Sequence, residues 1–269
     1  MVTSETVRVN GLRFRCRLDG PEAAPWLVFS NSLLTDLTLW DDQVAAFGDR
    51  YRILRYDQRG HGGTEVPPNP TNLDELAGDA AALMRHFGAS DAVFAGVSMG
   101  AATALLLATR EPGLVAAVVA SDGQAGTAPG GAAMWRERMD FAAAHGMDAV
   151  AKATLARWFT PKSRESDHPS MGRLQAMIAA TPLQGFVACA TALQNYEFRA
   201  ALPTLRQPVL LLAGAQDGAM PTTMRALAGM IPDSRFVEIP DAGHLPGIEA
   251  PEAFNAAMAA FLGERASPH

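Results

Sequence analysis

The chain has 269 residues, 48% hydrophobic and 19% charged, with 22 Lys+Arg against 28 Asp+Glu and a formal net charge of −6. That apolar share excludes a disordered protein. The acidic balance argues against a nucleic-acid-binding surface, which rests on clustered Lys and Arg, and no run approaches the ~18 apolar residues of a membrane helix.

Val7-Arg8-Val9 and residues 12–18 flank Asn10-Gly11, which supplies the positive φ angles of a tight turn, so a β-hairpin is predicted. Trp26 to Ser30 reads as a buried strand. Residues 37–47 have helical spacing, with Trp40, Val44 and Phe47 on one face. Arg52 to Tyr56 is the next strand. A loop with Pro67, Pro68 and Pro70 leads to a helix from Leu73 to Phe87. Strand Ala92 to Val97, helix 101–109 and strand 114–121 follow. Residues 132–200 have helical patterns and no convincing strand. The alternation resumes with strand 208–214, helix 223–230, strand 235–239 and helix 251–262.

Strands separated by helices require right-handed crossovers, which build a parallel sheet covered on both faces. The expected organisation is one α/β core from residues 1–122 and 201–269. A helical lid spanning 123–200 is inserted into it. The length is ample for such a core.

The sharpest local signal is Gly96-Val97-Ser98-Met99-Gly100, after an apolar strand and before a helix. A nucleophile at so tight a turn crowds the residues two positions to either side, and glycine at both relieves the clash. The turn also places Ser98 at a helix N-terminus, where free N–H groups favour developing negative charge. The bland alternative is a glycine-rich turn with a capping serine.

A serine hydroxyl needs a base oriented by a carboxylate. His244 follows strand 235–239 in Asp241-Ala242-Gly243-His244, and Asp217 lies just past strand 208–214. The order Ser98, Asp217, His244 fits a nucleophile–acid–base arrangement beyond the C-terminal ends of strands. Asp122 competes as the acid, because it too ends a strand; topological position favours Asp217. His61 suits a loop-holding hydrogen bond, His86 a helix surface, His145 a helix end and His168 a polar loop, while His269 is terminal. For the oxyanion, Met99 supplies one backbone N–H, and Leu33, after strand Trp26 to Ser30, supplies the other.

With these residues in place, the chain resembles the α/β-hydrolase superfamily over essentially its whole length. The resemblance rests on Gly96 to Gly100, the Asp57-Gln58-Arg59-Gly60-His61-Gly62 loop, Asp217 and Ala242-Gly243-His244. It implies the α/β-hydrolase fold, a mostly parallel twisted sheet of about eight strands with helices on both faces. Within the superfamily the chain looks most like the 3-oxoadipate enol-lactonases. Asn31-Ser32-Leu33-Leu34-Thr35-Asp36-Leu37 followed by Trp40, Leu54-Arg55-Tyr56-Asp57, and Ile248-Glu249-Ala250-Pro251-Glu252-Ala253-Phe254 carry that likeness. So do the lid stretches Met134-Trp135-Arg136-Glu137-Arg138 and Ala156-Arg157-Trp158-Phe159-Thr160-Pro161.

Three departures bear on the substrate. Leu34 stands where the family has glycine beside the oxyanion hole, Ala101 replaces a second glycine, and Ser121-Asp122 replaces an asparagine-threonine pair. Asp122 thereby adds a carboxylate near the pocket.

The resemblance implies acyl transfer on a small carboxylate-bearing lactone, with no metal or organic cofactor. It offers Arg138 for the substrate carboxylate, although a solvated helix face explains that residue as well. Trp135 is a pocket wall or lid core, and Trp158, Met171 and Met177 read as packing. Alternatives on the same fold are a carboxylesterase or lactonase with another substrate, a C–C hydrolase, cofactor-free oxygen chemistry, or a non-catalytic ligand-binding module.

Cys16 and Cys189 form no disulfide framework or metal spacing and read as buried small hydrophobes. The opening residues, Met1 to Thr6, lack the basic and apolar parts of a signal peptide. A cytoplasmic monomer or homodimer acting on a small molecule, without nucleic-acid or membrane partners, is the expectation.

Overall fold

The computed structural model describes residues 3–166 and 168–265, so the expectations for Met1, Val2 and His269 fall outside the described residues. β1 (Thr3–Val9) and β2 (Leu12–Asp19) form the predicted hairpin, with Asn10 at φ 48° and Gly11 at φ 81°. β1 starts earlier than its apolar alternation indicated. Its polar first half is held by pairing that extends to Thr3 opposite Leu18, so the neighbouring strand and not its own pattern sets its length.

β3 (Trp26–Ser30) and β4 (Arg52–Tyr56) lie where predicted, but the helix between them is split. A 3₁₀ turn, Leu37–Trp40, is capped by Asp36 Oδ1, which accepts the Thr38 N–H at 2.9 Å, and α1 (Asp41–Phe47) follows. α2 (Leu73–Phe87) opens with a reciprocal Asn72–Glu75 capping box and ends at Gly88 in the left-handed region. Then come β5 (Ala92–Val97), α3 (Met99–Arg110) and β6 (Val115–Ser121).

Four helices separate β6 from the next strand: α4 (Gly131–Trp158), α5 (Pro161–Glu165), α6 (Ser170–Ala179) and α7 (Leu183–Gln194). The helix end expected at His145-Gly146 is a break within α4, where Gly146 takes φ 77° and the helix restarts in a new direction. The chain leaves and re-enters this insertion through an antiparallel neck. There Thr127 N–H donates to Tyr196 O and Phe198 N–H to Ala125 O, each at 2.9 Å.

After a 3₁₀ turn at Arg199–Thr204 come β7 (Val209–Gly214), α8 (Met220–Ala228), β8 (Ser234–Ile239), α9 (Pro246–Glu249) and α10 (Pro251–Arg265). α8 begins three residues before its predicted start because Pro221 fits the first helical turn.

The eight strands form one sheet in the order β1-β2-β4-β3-β5-β6-β7-β8, antiparallel at β1–β2 and β2–β4 and parallel elsewhere. Every residue of β4, β5 and β7 is buried, as expected where helices cover both faces. Arg55, 1% exposed, sits in this interior with carboxylates of Asp19 at 2.8 Å and Asp41 at 2.6 Å. Removing one member of such a group leaves an uncompensated buried charge.

Register brings the chemistry together. Val97 lies opposite Ser121, Ser121 opposite Leu212, and Gly214 opposite Ile239, so four loops leave the sheet side by side. Among the described residues no single helix is long and apolar enough to cross a membrane.

Candidate active site

Ser98 occupies the turn from β5 into α3 at φ 58°, ψ −114°, a region costly for any side-chain-bearing residue. The expected crowding is present. A Cβ on Gly96 would collide with the Gly100 carbonyl, and one on Gly100 with the Ser30 carbonyl. The turn is tied to its neighbour by Ser98 N–H donating to Ser121 O at 2.8 Å.

His244 and Asp217 meet across the adjacent loops, Nδ1 to Oδ2 at 2.7 Å. Burial alone raises the Asp217 carboxyl. The facing imidazole and the hydrogen bonds from His244 and Asp122 outweigh it and hold Asp217 below the usual carboxylate range. The His244 loop is fixed from two sides. His244 N–H donates to Trp158 O at 2.8 Å, and Gly243 N–H to Glu249 Oε2 at 2.8 Å. Glu249 Oε1 also accepts from Thr160 N–H and Oγ1, so one carboxylate joins this loop to the junction of α4 and α5.

Ser98, Asp217 and His244 all line a single cavity of about 720 Å³, which lies between the sheet ends and the inserted helices. That volume is in the range of small-molecule sites, roughly 300–1,000 Å³. His244 is the one histidine among the described residues that borders it. His61 is buried elsewhere, with Nδ1 donating to Arg59 O at 3.0 Å, and burial pushes its pKa down to about 4.

Leu33 and Met99 both border the cavity. Met99 is the first residue of α3, where an N–H has no intrahelical acceptor, and Leu33 N–H has no protein acceptor among the described residues. The Leu33 loop is held from below. Asn31 donates to Tyr56 O at 2.9 Å and accepts from Trp40 Nε1 at 3.0 Å, while Asp57 Oδ1 accepts the Leu37 N–H at 2.7 Å.

Asp122 is 1% exposed, and both its oxygens are engaged inside the protein. Ser121 Oγ donates to Oδ2 at 2.6 Å and Gly214 N–H to Oδ1 at 2.9 Å. It also borders the cavity. Donor atoms of Asp122, Asp217 and His244 lie within 4.8 Å of one another, a spacing that a metal ion could use. Of these, His244 Nδ1 and Asp217 Oδ2 are hydrogen-bonded to each other.

The far wall comes from α4. Met134, Trp135, Arg138 and Phe141 recur at helical spacing along it, so Trp135 is a wall residue. The half-buried Arg138 guanidinium lies 4.7 Å from the centre of the Trp135 ring. Arg157, from the second half of α4, borders the same cavity and donates to Thr154 Oγ1 at 3.3 Å. Neither arginine has a carboxylate partner among the described residues. Burial, and then the neighbouring Arg157 charge, push the pKa of Arg138 down to about 10; burial lowers that of Arg157.

Sequence reasoning did not single out Arg157, and it took Trp158 for packing. Trp158 instead stacks on the His244 ring at 5.4 Å and 29°. The sequence indicates a helix end at His145-Gly146, but not that the helix restarting there brings Arg157 and Trp158 to the cavity.

Residues 25–251 match the alpha/beta hydrolase fold family. The chain belongs to that family. A curated relative, 3-oxoadipate enol-lactonase 2 of Acinetobacter baylyi, is 33% identical over 97% of this chain and 95% of its own length. A hydrolase from Pseudomonas aeruginosa superposes with a TM-score of 0.92 at 34% identity, covering 97% of this chain and 98% of the other. The enol-lactonase of Burkholderia xenovorans superposes with a TM-score of 0.91 at 35% identity, covering 96% and 100%. These relatives support hydrolase activity for this chain.

One feature of this α/β hydrolase runs against local backbone preference. Leu34, 4% exposed at the cavity wall, adopts φ 70°, which costs a leucine roughly 1–2 kcal/mol. Leu34→Gly relieves that strain and opens space beside Ser98. Esters with acyl chains one or two methylenes longer are expected to gain about tenfold in kcat/KM relative to acetate. A p-nitrophenyl ester series on both proteins measures this, and an unchanged chain-length profile would place Leu34 away from the acyl group.

Proposed function

We propose that this protein is a serine hydrolase that opens a small carboxylate-bearing lactone, with 3-oxoadipate enol-lactone as the leading substrate. The observation that carries the reading is one cavity holding both halves of such a site. The strained Ser98 and the Asp217–His244 pair lie on one wall, and on the other are two arginines without carboxylate partners among the described residues. The names of the relatives supply the lactone.

In the proposed mechanism His244 takes the Ser98 hydroxyl proton as Oγ attacks the lactone carbonyl. The N–H groups of Leu33 and Met99 hydrogen-bond the oxyanion. The ring C–O bond breaks, and the enolate oxygen leaves with the proton from His244. The enol then tautomerises to the ketone. His244 next deprotonates a water molecule, which attacks the acyl-serine, releases the carboxylic acid and restores Ser98. Asp217 holds the imidazole by Nδ1 and stabilises its cationic form. Arg138 and Arg157 take the substrate's carboxylate, the ion for which paired guanidiniums are suited.

Steady-state hydrolysis of 3-oxoadipate enol-lactone beside p-nitrophenyl acetate tests the reading. The expected result is a kcat/KM for the lactone at least about a hundredfold above that for the ester, since only the lactone meets the arginines. Ester cleavage without lactone opening would keep the serine chemistry and overturn the substrate. Turnover of neither would favour a ligand-binding module.

A further inference from the structure

Two carboxyl groups stand beside His244, with donor atoms of all three within 4.8 Å of one another, and the mechanism above uses only one of the carboxyls. Asp122 leaves the end of β6 at φ 49°, fixed by its N–H donating to Leu212 O at 2.9 Å, and its side chain reaches across to the Gly214 N–H at the end of β7. It therefore bridges the two strand ends immediately before the turn that carries Asp217. Donor atoms of the two carboxyls lie within 4.8 Å of each other, so a proton on one of them spares the pair the repulsion of two like charges at that distance. The charged or titratable groups facing Asp122 are Asp217 and His244, from the loops after β7 and β8. Arg138 and Arg157 of α4 stand across the cavity.

We propose that Asp122 is a positioning residue, a neutral carboxylic acid that donates its proton in a hydrogen bond to Asp217 and fixes that carboxylate for His244 from behind. The pair then carries one negative charge, which spares two neighbouring carboxylates their mutual repulsion. Burial, followed by the Asp217 charge, pushes the Asp122 pKa well above the ordinary carboxylate value against the pull of Ser121 and Gly214. The role rests on the serine-hydrolase reading, because it acts through Asp217 and His244.

The test uses the full chain as wild type, Asp122→Asn and Asp122→Leu. Infrared spectra at pH 7 are expected to contain the C=O stretch of a protonated carboxyl in the wild type and to lose it in Asp122→Asn. A wild type without that band overturns the proposal. The acid-side midpoint of kcat/KM for p-nitrophenyl acetate, checked by NMR titration of the His244 ring, supplies the functional readout. Asp122→Leu deprives Asp217 of a donor and leaves its charge more concentrated on the imidazole. The midpoint is expected to rise by about one pH unit, with kcat falling and KM little changed. Asp122→Asn keeps a neutral donor and is expected to hold the midpoint. A midpoint that falls in Asp122→Asn shows that Asp122 was itself charged, and one that stays fixed in both variants shows that Asp122 does not act on Asp217; either overturns the proposal. If Asp122→Leu does not fold, the infrared band and the Asp122→Asn midpoint decide. The band and the NMR titration do not depend on turnover, so failure of the serine-hydrolase reading, tested separately by Ser98→Ala, is distinguishable from failure of this one.

Discussion

Ser98→Ala is expected to lower kcat for both p-nitrophenyl acetate and the lactone by about 10⁴-fold or more, with the fold unchanged. The size follows from the division of labour in the proposed mechanism. Without Oγ no acyl-enzyme forms, and only the Leu33 and Met99 N–H groups and the positioning of the substrate remain to assist water. The structural cost is small for two reasons. Ser98 makes no side-chain cap bond to α3, so losing the hydroxyl leaves no native partner unsatisfied. Alanine keeps a Cβ at φ 58°, so the strain of the turn neither grows nor disappears. Melting temperature is expected to stay within the change that about 0.5 kcal/mol produces. Kinetics and thermal unfolding on the same preparation check both halves. Activity within tenfold of wild type would remove Ser98 from the chemistry, and lost activity with a collapsed melting temperature would leave the change to be read as misfolding.

The fold and the candidate site were not equally legible in the sequence. Elements whose residues pack on both faces, such as β4, β5 and β7, announce themselves as short apolar runs, and their bounds follow closely. The loops at their ends were legible because turn chemistry is local. Gly96 and Gly100 flank Ser98 for a steric reason that the sequence alone states. Edges fared worse. β1 owes its first half to hydrogen bonds with β2, and residues 37–47 divide because Asp36 caps a 3₁₀ turn before α1 begins. Neither event leaves an apolar period to read. The insertion was least legible. A single positive φ at Gly146 decides which faces of α4 meet the cavity, and with it the meeting of Arg138 and Arg157. Asp122 belongs to the same class. Its sequence position makes it a rival acid or a substrate contact, and only the register of β5, β6 and β7 brings its side chain to the Gly214 N–H.

Replacing Arg138 and Arg157 together by leucine is expected to lower kcat/KM for the carboxylate-bearing lactone by about 10²–10³-fold, while p-nitrophenyl acetate keeps most of its rate. A charge-assisted hydrogen bond contributes roughly 1.5–3 kcal/mol, and two to one carboxylate do not add fully. A total near 3–4 kcal/mol therefore sets the expected loss. Neither residue neighbours Ser98 in the chain, and neither bonds to Asp217 or His244, so the neutral ester has little to lose. The same substitutions remove two neighbouring like charges, of which the half-buried Arg138 guanidinium is already held below its ordinary pKa by burial. Melting temperature is accordingly expected to rise, the exchange of stability for function that sites of this kind exhibit. A dicarboxylate such as adipate supplies a third readout. It is expected to stabilise the wild type against heat in proportion to its occupancy and to leave the double variant unmoved. Equal losses for lactone and ester would return Arg138 to a solvated helix face and would make the cavity's positive wall a feature of packing alone.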